Sequence, residues 1–157
     1  MKEILINKLH QYLKDNNPDL LLQLESEGKI SSYLSDSVDS LDLLLNYDNT
    51  SQPQYIIEEA CMDILTYDLK PSKYNYIHEI LEEEFSKTYQ TWHESGILQF
   101  EAINIVTHCQ PVFDEIGFTV ENEDSHDLYY AITGAIHEYI QNNSEKEKLP
   151  EAVNSEL

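Results

Sequence analysis

The stretch Ile97-Leu-Gln-Phe-Glu-Ala-Ile-Asn-Ile-Val-Thr-His-Cys109 decides the fold class, because its apolar residues Leu98, Ala102, Ile105 and Cys109 follow one another at steps of four, three and four. Those steps trace one face of a helix of 3.6 residues per turn, and a two-residue strand alternation cannot produce them. Downstream, Pro111 should break or kink this helix, leaving Val112, Phe113 and Ile116 as a short piece before Gly117. Asp124 with Asp127 then opens a last helix with the inward face Leu128, Ile132, Ala135, Ile136 and Ile140. Upstream, Gln90 to Gly96 reads as a loop carrying the only tryptophan, Trp92.

Further back, the same period recurs. Ser72 is a suitable N-cap for a helix with the stripe Tyr74, Ile77, Leu81 and Phe85. Ser51 and Gln54 have capping-box spacing, with Pro53 near the first turn, for a helix burying Ile57, Cys61, Ile64 and Leu65. Ile30, Leu34, Val38, Leu41 and Leu45 line another helix, ended by Asp48-Asn49-Thr50. Leu20 to Leu24 is a short apolar turn or helix closed by Gly28. Leu5, Leu9, Tyr12 and Leu13 form the first stripe, stopped by Asn16-Asn17-Pro18. Phe118-Thr119-Val120 is the sole strand candidate and is too short to count. The expected fold is all-α: one compact domain of five or six helices over residues 1–142, in irregular orthogonal or bundle packing, then a disordered acidic tail over 143–157.

The charge is lopsided. Of 157 residues, 30 are acidic and 9 basic, all lysine, for a net charge of −21. Proteins that grip a phosphate backbone neutralise it with Lys and Arg, so direct nucleic-acid binding is excluded as a reading, and anionic lipid would be repelled as well. No leader-like apolar core follows Met1, and no apolar run approaches a membrane span. Cys61 and Cys109 each lie among apolar residues, as small core side chains do. The expectation is a reduced, cytoplasmic protein.

Chemistry is sparse. His-Glu occurs at His78-Glu79, His93-Glu94 and His137-Glu138. A zinc-protease helix needs a second His four places on, and those places hold Glu82, Ile97 and Gln141. His78 and Glu82 would share a helical turn as two metal ligands, with a third from elsewhere, which leaves a small metal-dependent enzyme as an alternative. His108 and Cys109 are neighbours in sequence and so cannot face each other on a helix as nucleophile and base. Glu121, Glu123, Asp124 and Asp127 lack the glycine and closing glutamate of a calcium loop. The four glycines are scattered and form no phosphate loop. No catalytic, cofactor-binding or metal-binding residue is assigned.

Binding has more support. From Thr88 to Glu145 there is no lysine, while ten acids and the histidines His93, His108, His126 and His137 lie between Lys87 and Lys146. Of the eleven tyrosines, Tyr12, Tyr74 and Tyr139 fall on or beside inward stripes, whereas Tyr76, Tyr89, Tyr129 and Tyr130 should keep an exposed edge. Tyr and Trp are favoured at interfaces. The candidate interaction surface is therefore Trp92, Glu121, Glu123, Asp124, Asp127, Tyr129 and Tyr130, facing a basic protein of the nucleic-acid-processing kind. The chain itself would be a monomer or homodimer, and a self-associating structural role is a further alternative that a net −21 opposes at low salt.

Several segments carry a family resemblance. They are Asn17-Pro18-Asp19-Leu20, Tyr67-Asp68-Leu69-Lys70-Pro71-Ser72-Lys73-Tyr74 leading to Ile80-Leu81-Glu82-Glu83-Glu84-Phe85, Cys109-Gln110-Pro111-Val112-Phe113, and Leu128-Tyr129-Tyr130-Ala131-Ile132-Thr133-Gly134-Ala135-Ile136. Over about residues 5 to 142 the chain resembles a family of small uncharacterised proteins from Bacteroides-type bacteria, a domain of unknown function. The resemblance implies an all-helical fold and a setting beside genes of mobile or conjugative elements. Its motifs are caps, a proline and apolar stripes, so it brings no catalytic residues.

Overall fold

The computed structural model describes residues 1–42 and 52–156, with side chains as far as Ser144. Among the described residues it is all-helical, with no strand. Eight α-helices stand among the described residues where five or six are expected: α1 (Lys2–Asn16), α2 (Pro18–Ser26), α3 (Ile30–Asp39), α4 (Gln54–Thr66), α5 (Lys73–Glu84), α6 (Ser86–Ser95), α7 (Leu98–Ile116) and α8 (His126–Glu156), with a 3-10 turn at Tyr67–Leu69. The surplus comes from α2, a full nine residues, and from α6. Two compact units result, Met1–Asn75 and Tyr76–Leu157.

In the first unit α1 packs on α2, α3 and α4 through Leu5, Leu9 and Leu13, all fully buried. Leu9 and Leu13 cluster with Leu21, Leu24 and Leu34, while Leu5 clusters with Val38, Leu41 and Cys61. Ile6, Met62 and Leu65 touch both groups. Each fully buried leucine contributes about 1.5–3 kcal/mol relative to exposure, so α1 is the spine of this unit. Asn17 closes α1 by donating its N–H to the Leu13 carbonyl at 2.9 Å, and its own carbonyl receives the Leu21 N–H at 3.0 Å. Pro18 then occupies the first position of α2, where no N–H is needed.

α3 stops at Asp39, with Leu41 buried beyond it, and the expected continuation to Leu45 and Asp48-Asn49-Thr50 lies outside the described residues, as does Ser51 of the capping box. Pro53 is the N-cap of α4 in extended conformation (φ −57°, ψ 148°). Ile57, Cys61 and Leu65 turn inward, but Ile64 is 51% exposed and is no core residue. Burial of Glu58, Cys61 and Thr66 centres the inward face between Cys61 and Glu58, which leaves Ile64 beyond its rim on the Ile57 side. The inward place beside Ile57 goes to Glu58, whose carboxylate receives Lys8 Nζ at 2.9 Å and Gln54 Nε2 at 3.0 Å. Those bonds hold its carboxyl below the ordinary glutamate range, with the Lys8 hydrogen bond the largest cause. Ser72 caps α5, accepting the Asn75 N–H at 3.0 Å and donating to the Asn16 carbonyl.

In the second unit α5 buries Ile77, Ile80 and Leu81. α6 replaces the expected loop around Trp92 and buries none of its residues, so it shows no apolar stripe. Its stop is Gly96 (φ +76°), where the Gly96 N–H bonds the His93 carbonyl at 3.2 Å and the Ile97 N–H bonds that of Trp92 at 2.9 Å. α7 packs on α6 and α8 and runs unbroken through Pro111, contrary to the expected break. Both Pro111 and Thr107, whose carbonyl loses its partner, are exposed, so water can take up that carbonyl. α8 buries Leu128, Ile132 and Ile136. Its cap is Ser125, one residue later than Asp124, accepting the Leu128 N–H at 3.4 Å.

Between α7 and α8 Phe118 is not in a strand. Its ring meets Phe113 at 4.9 Å and Tyr76 at 5.1 Å. Asn122 ties the connection, accepting the Thr119 N–H at 2.7 Å and donating to the Gly117 carbonyl at 2.7 Å. α8 continues through residues 143–156, where the polar sequence leads one to expect a tail. The run Glu145-Lys146-Glu147-Lys148-Leu149 consists of strong helix formers.

Candidate acidic-aromatic interaction site

The end of α5 carries Glu82-Glu83-Glu84, and the first turns of α8 carry His126, Asp127, Tyr129 and Tyr130. Tyr129 joins them. Its hydroxyl lies 2.7 Å from a Glu84 carboxylate oxygen, to which it donates, and 3.4 Å from one of Glu83. The hydrogen bond to Glu84 holds the phenol well above its ordinary pKa, with burial and the charges of Glu84 and Glu83 adding to the effect. Beside it Tyr130 is 68% exposed. Its ring meets that of Tyr129 edge-on at 6.1 Å and 77°, and His126 stacks over it at 6.2 Å. A corner of two nearly perpendicular rings is thus edged by carboxylates.

Of the seven residues expected in an interaction surface, Tyr129 and Tyr130 therefore meet, and Asp127 stands exposed about one helical turn before Tyr130. Glu121, Glu123 and Asp124 lie in the connection just before α8, with Glu121 and Asp124 exposed and Glu123 half-buried. Asp124 is close enough to Tyr76 that its charge, added to the larger effect of burial, pushes that phenol up to about 12. Trp92 belongs to α6 and is half-buried. Glu83 and Glu84 are the members that periodicity does not reveal. The only signal for them is the run of three glutamates, and their partner lies 45 residues away.

The pairing of tyrosine with carboxylate recurs. Tyr139 OH donates to Glu101 at 2.7 Å, beside the His108 ring at 5.5 Å. His78, a metal ligand only in the alternative reading, lies edge-on to Tyr89 at 5.3 Å, and Tyr89 stacks on His93 at 6.3 Å and 6°. Among the described residues no group of three or more His, Cys, Asp or Glu could hold a metal ion, so His78 and Glu82 gain no third ligand there. Both thiols are buried, and burial pushes Cys109 up to about 12, far from a reactive thiolate. What the Tyr129–Tyr130 corner can do is receive a cation, by ring faces and by carboxylate acceptors together.

An all-helical acidic domain with an aromatic corner is the class these features define. A family profile described as Domain of unknown function (DUF1896) matches residues 5–144, and the chain belongs to that family. No curated protein and no solved structure matches it. Among the described residues no helix is long and apolar enough to cross a membrane.

Proposed function

We propose that the protein is a non-enzymatic interaction module that binds a basic protein, its lysine or arginine side chains docking at Tyr129 and Tyr130 among Glu83, Glu84 and Asp127. The observation that carries this reading is the Tyr129 hydroxyl on Glu84, which gathers the acids of α5 beside the aromatic pair of α8. The charge count supports it: residues 76–157 hold seventeen acids and three lysines, so most of the acids have no lysine of their own unit to balance them. Glu121, Glu123 and Asp124 extend the acidic face along the approach to α8. A nucleic-acid-processing partner, linked to mobile elements and met in a reduced cytoplasm, fits the same chemistry, since its DNA-binding face would be basic.

The test uses the tagged full chain and the partner it recovers from its host, with affinity measured against salt. Replacing Tyr130 by Ala together with Glu83→Gln and Glu84→Gln should weaken binding at least about tenfold, or about 1.4 kcal/mol. Charge reversal at Glu121, Glu123, Asp124 and Asp127 should weaken it further and flatten its salt dependence. Affinity unchanged in both variants would overturn the reading.

A further inference from the structure

α4 carries apolar residues on two faces. The inner face serves the core of the first unit. On the outer face Ile56, Ala60 and Ile64, continued by Tyr67 at the start of the 3-10 turn, recur at i, i+4, i+8 and i+11, and all are exposed: Ile56 by 37%, Ile64 by 51%, Tyr67 by 78%, with Ala60 also open. The row is about 17 Å long at 1.5 Å per residue. Single exposed apolar residues need no explanation, but a contiguous row does. Glu59 and Asp63, both exposed, run beside the row, each one position before a member of it. Lys8, the cation paired with α4, bonds Glu58 on the inner side.

We infer that this outer face of α4 is a docking face for an amphipathic helix of a partner protein, with an apolar stripe on one side and Lys or Arg along its edge, three to four turns long. Charge complementarity selects that occupant. A second copy of the chain paired about a two-fold axis would set Glu59 and Asp63 against their own counterparts and bring −21 against −21. A basic helix instead lays its stripe on Ile56, Ala60, Ile64 and Tyr67 while its cations meet Glu59 and Asp63. The apolar row supplies affinity and the acids set the direction of the bound helix. The inference stands on the first unit alone and does not rest on the Tyr129 site.

The test compares two synthetic leucine-lysine peptides of about fourteen residues, long enough to cover the row. One has its leucines at helical spacing, and the other has the same composition with the leucines spread round the helix. Their equal charge cancels the general attraction of an acidic protein. The amphipathic peptide should bind the full chain about tenfold more tightly and slow amide exchange over residues 54–67. Ile56→Ser with Ile64→Ser should erase that preference, and because both side chains are exposed the fold should survive, which circular dichroism checks. Glu83→Gln with Glu84→Gln should leave the preference intact. Equal affinity for the two peptides overturns the inference, as does a preference that survives the α4 variant. A dimer in sedimentation that Ile64→Ser dissolves would overturn it in favour of self-association.

Discussion

At the scale of residues, Tyr129 and Tyr76 hold their protons for different reasons, and titration separates them. Tyr129 keeps its proton because ionisation would break its hydrogen bond to Glu84 and leave a phenolate beside two carboxylates. Tyr76 keeps its proton chiefly through burial, with Asp124 adding to it, and its buried hydroxyl finds no hydrogen-bond partner among the described residues. In an alkaline absorbance titration Tyr76 should ionise only near about 12, and Tyr129 too should ionise well above the ordinary 10.0. Glu84→Gln removes the largest cause for Tyr129 and should bring that one tyrosine down, leaving Tyr76 where it was; a Tyr129 that stays high would deny the pairing. The effect on stability has a definite sign. A pKa raised on folding contributes stability that is complete below the unfolded value of 10.0 and is lost as pH rises from there through about 12 for Tyr76. The protein should therefore unfold in less urea at pH 11 than at pH 9. How much of this site the sequence discloses follows from the same residues. Tyr130 and Asp127 announce themselves by falling off the stripe of Leu128 and Ile132. Glu84 does not, because nothing local distinguishes it from Glu82 or Glu83, and only the packing of α8 on α5 selects the two that Tyr129 can reach.

At the scale of elements, Gly96 and Pro111 test what sets helix ends and helix continuity. Gly96 holds a left-handed φ of +76° with no atom within 4 Å of where a Cβ would stand, so Gly96→Ala meets backbone strain and no steric clash. A loss of about 1 kcal/mol is expected in urea unfolding. An unchanged midpoint would mean that the glycine is dispensable as the stop of α6. Pro111→Ala should move the other way. It restores an N–H for the Thr107 carbonyl in a helix that is already continuous and exposed at both residues, for a gain on the order of 1 kcal/mol. Destabilisation by Pro111→Ala would show that the ring contributes packing beyond the backbone account. The two sites also mark where reading by periodicity stops. α1, α5, α7 and α8 declare themselves because each buries a row of apolar residues. α6 buries nothing, so its only signatures are a glycine stop and ten residues without Gly or Pro. Pro111 misleads because its cost, a lost hydrogen bond and a ring crowding the Thr107 carbonyl, is lowered where both residues are exposed and water can take up that carbonyl.

At the scale of the whole molecule, the charge acts on folding and on binding with opposite signs of salt dependence. The first unit carries thirteen acids and six lysines, the second seventeen and three. Lys2 bonds Asp39 and Asp42, Lys8 bonds Glu58, and Lys29 lies near Glu27, all in the first unit. The exposed pairs of Lys2 and Lys29 contribute little, so screening them costs little. Screening the repulsion of −21 charges in a small volume relieves more. Raising salt from about 0.01 M to about 0.15 M shortens the screening length from about 30 Å to about 8 Å, which removes the repulsion between distant acids and spares contacts at 3 Å. The melting temperature should rise by about 2–4 °C for each kcal/mol relieved, as calorimetry would read. The same change should weaken association with a basic partner, because that attraction acts between exposed opposite charges. Stability rising while affinity falls, in one salt series on one preparation, separates electrostatic docking from any loss of binding through unfolding. A melting temperature that falls with salt would instead show that the attractive pairs of Lys2, Lys8 and Lys29 outweigh the net charge. The melting series would then report those pairs, and the salt dependence of binding alone would report the surplus of negative charge.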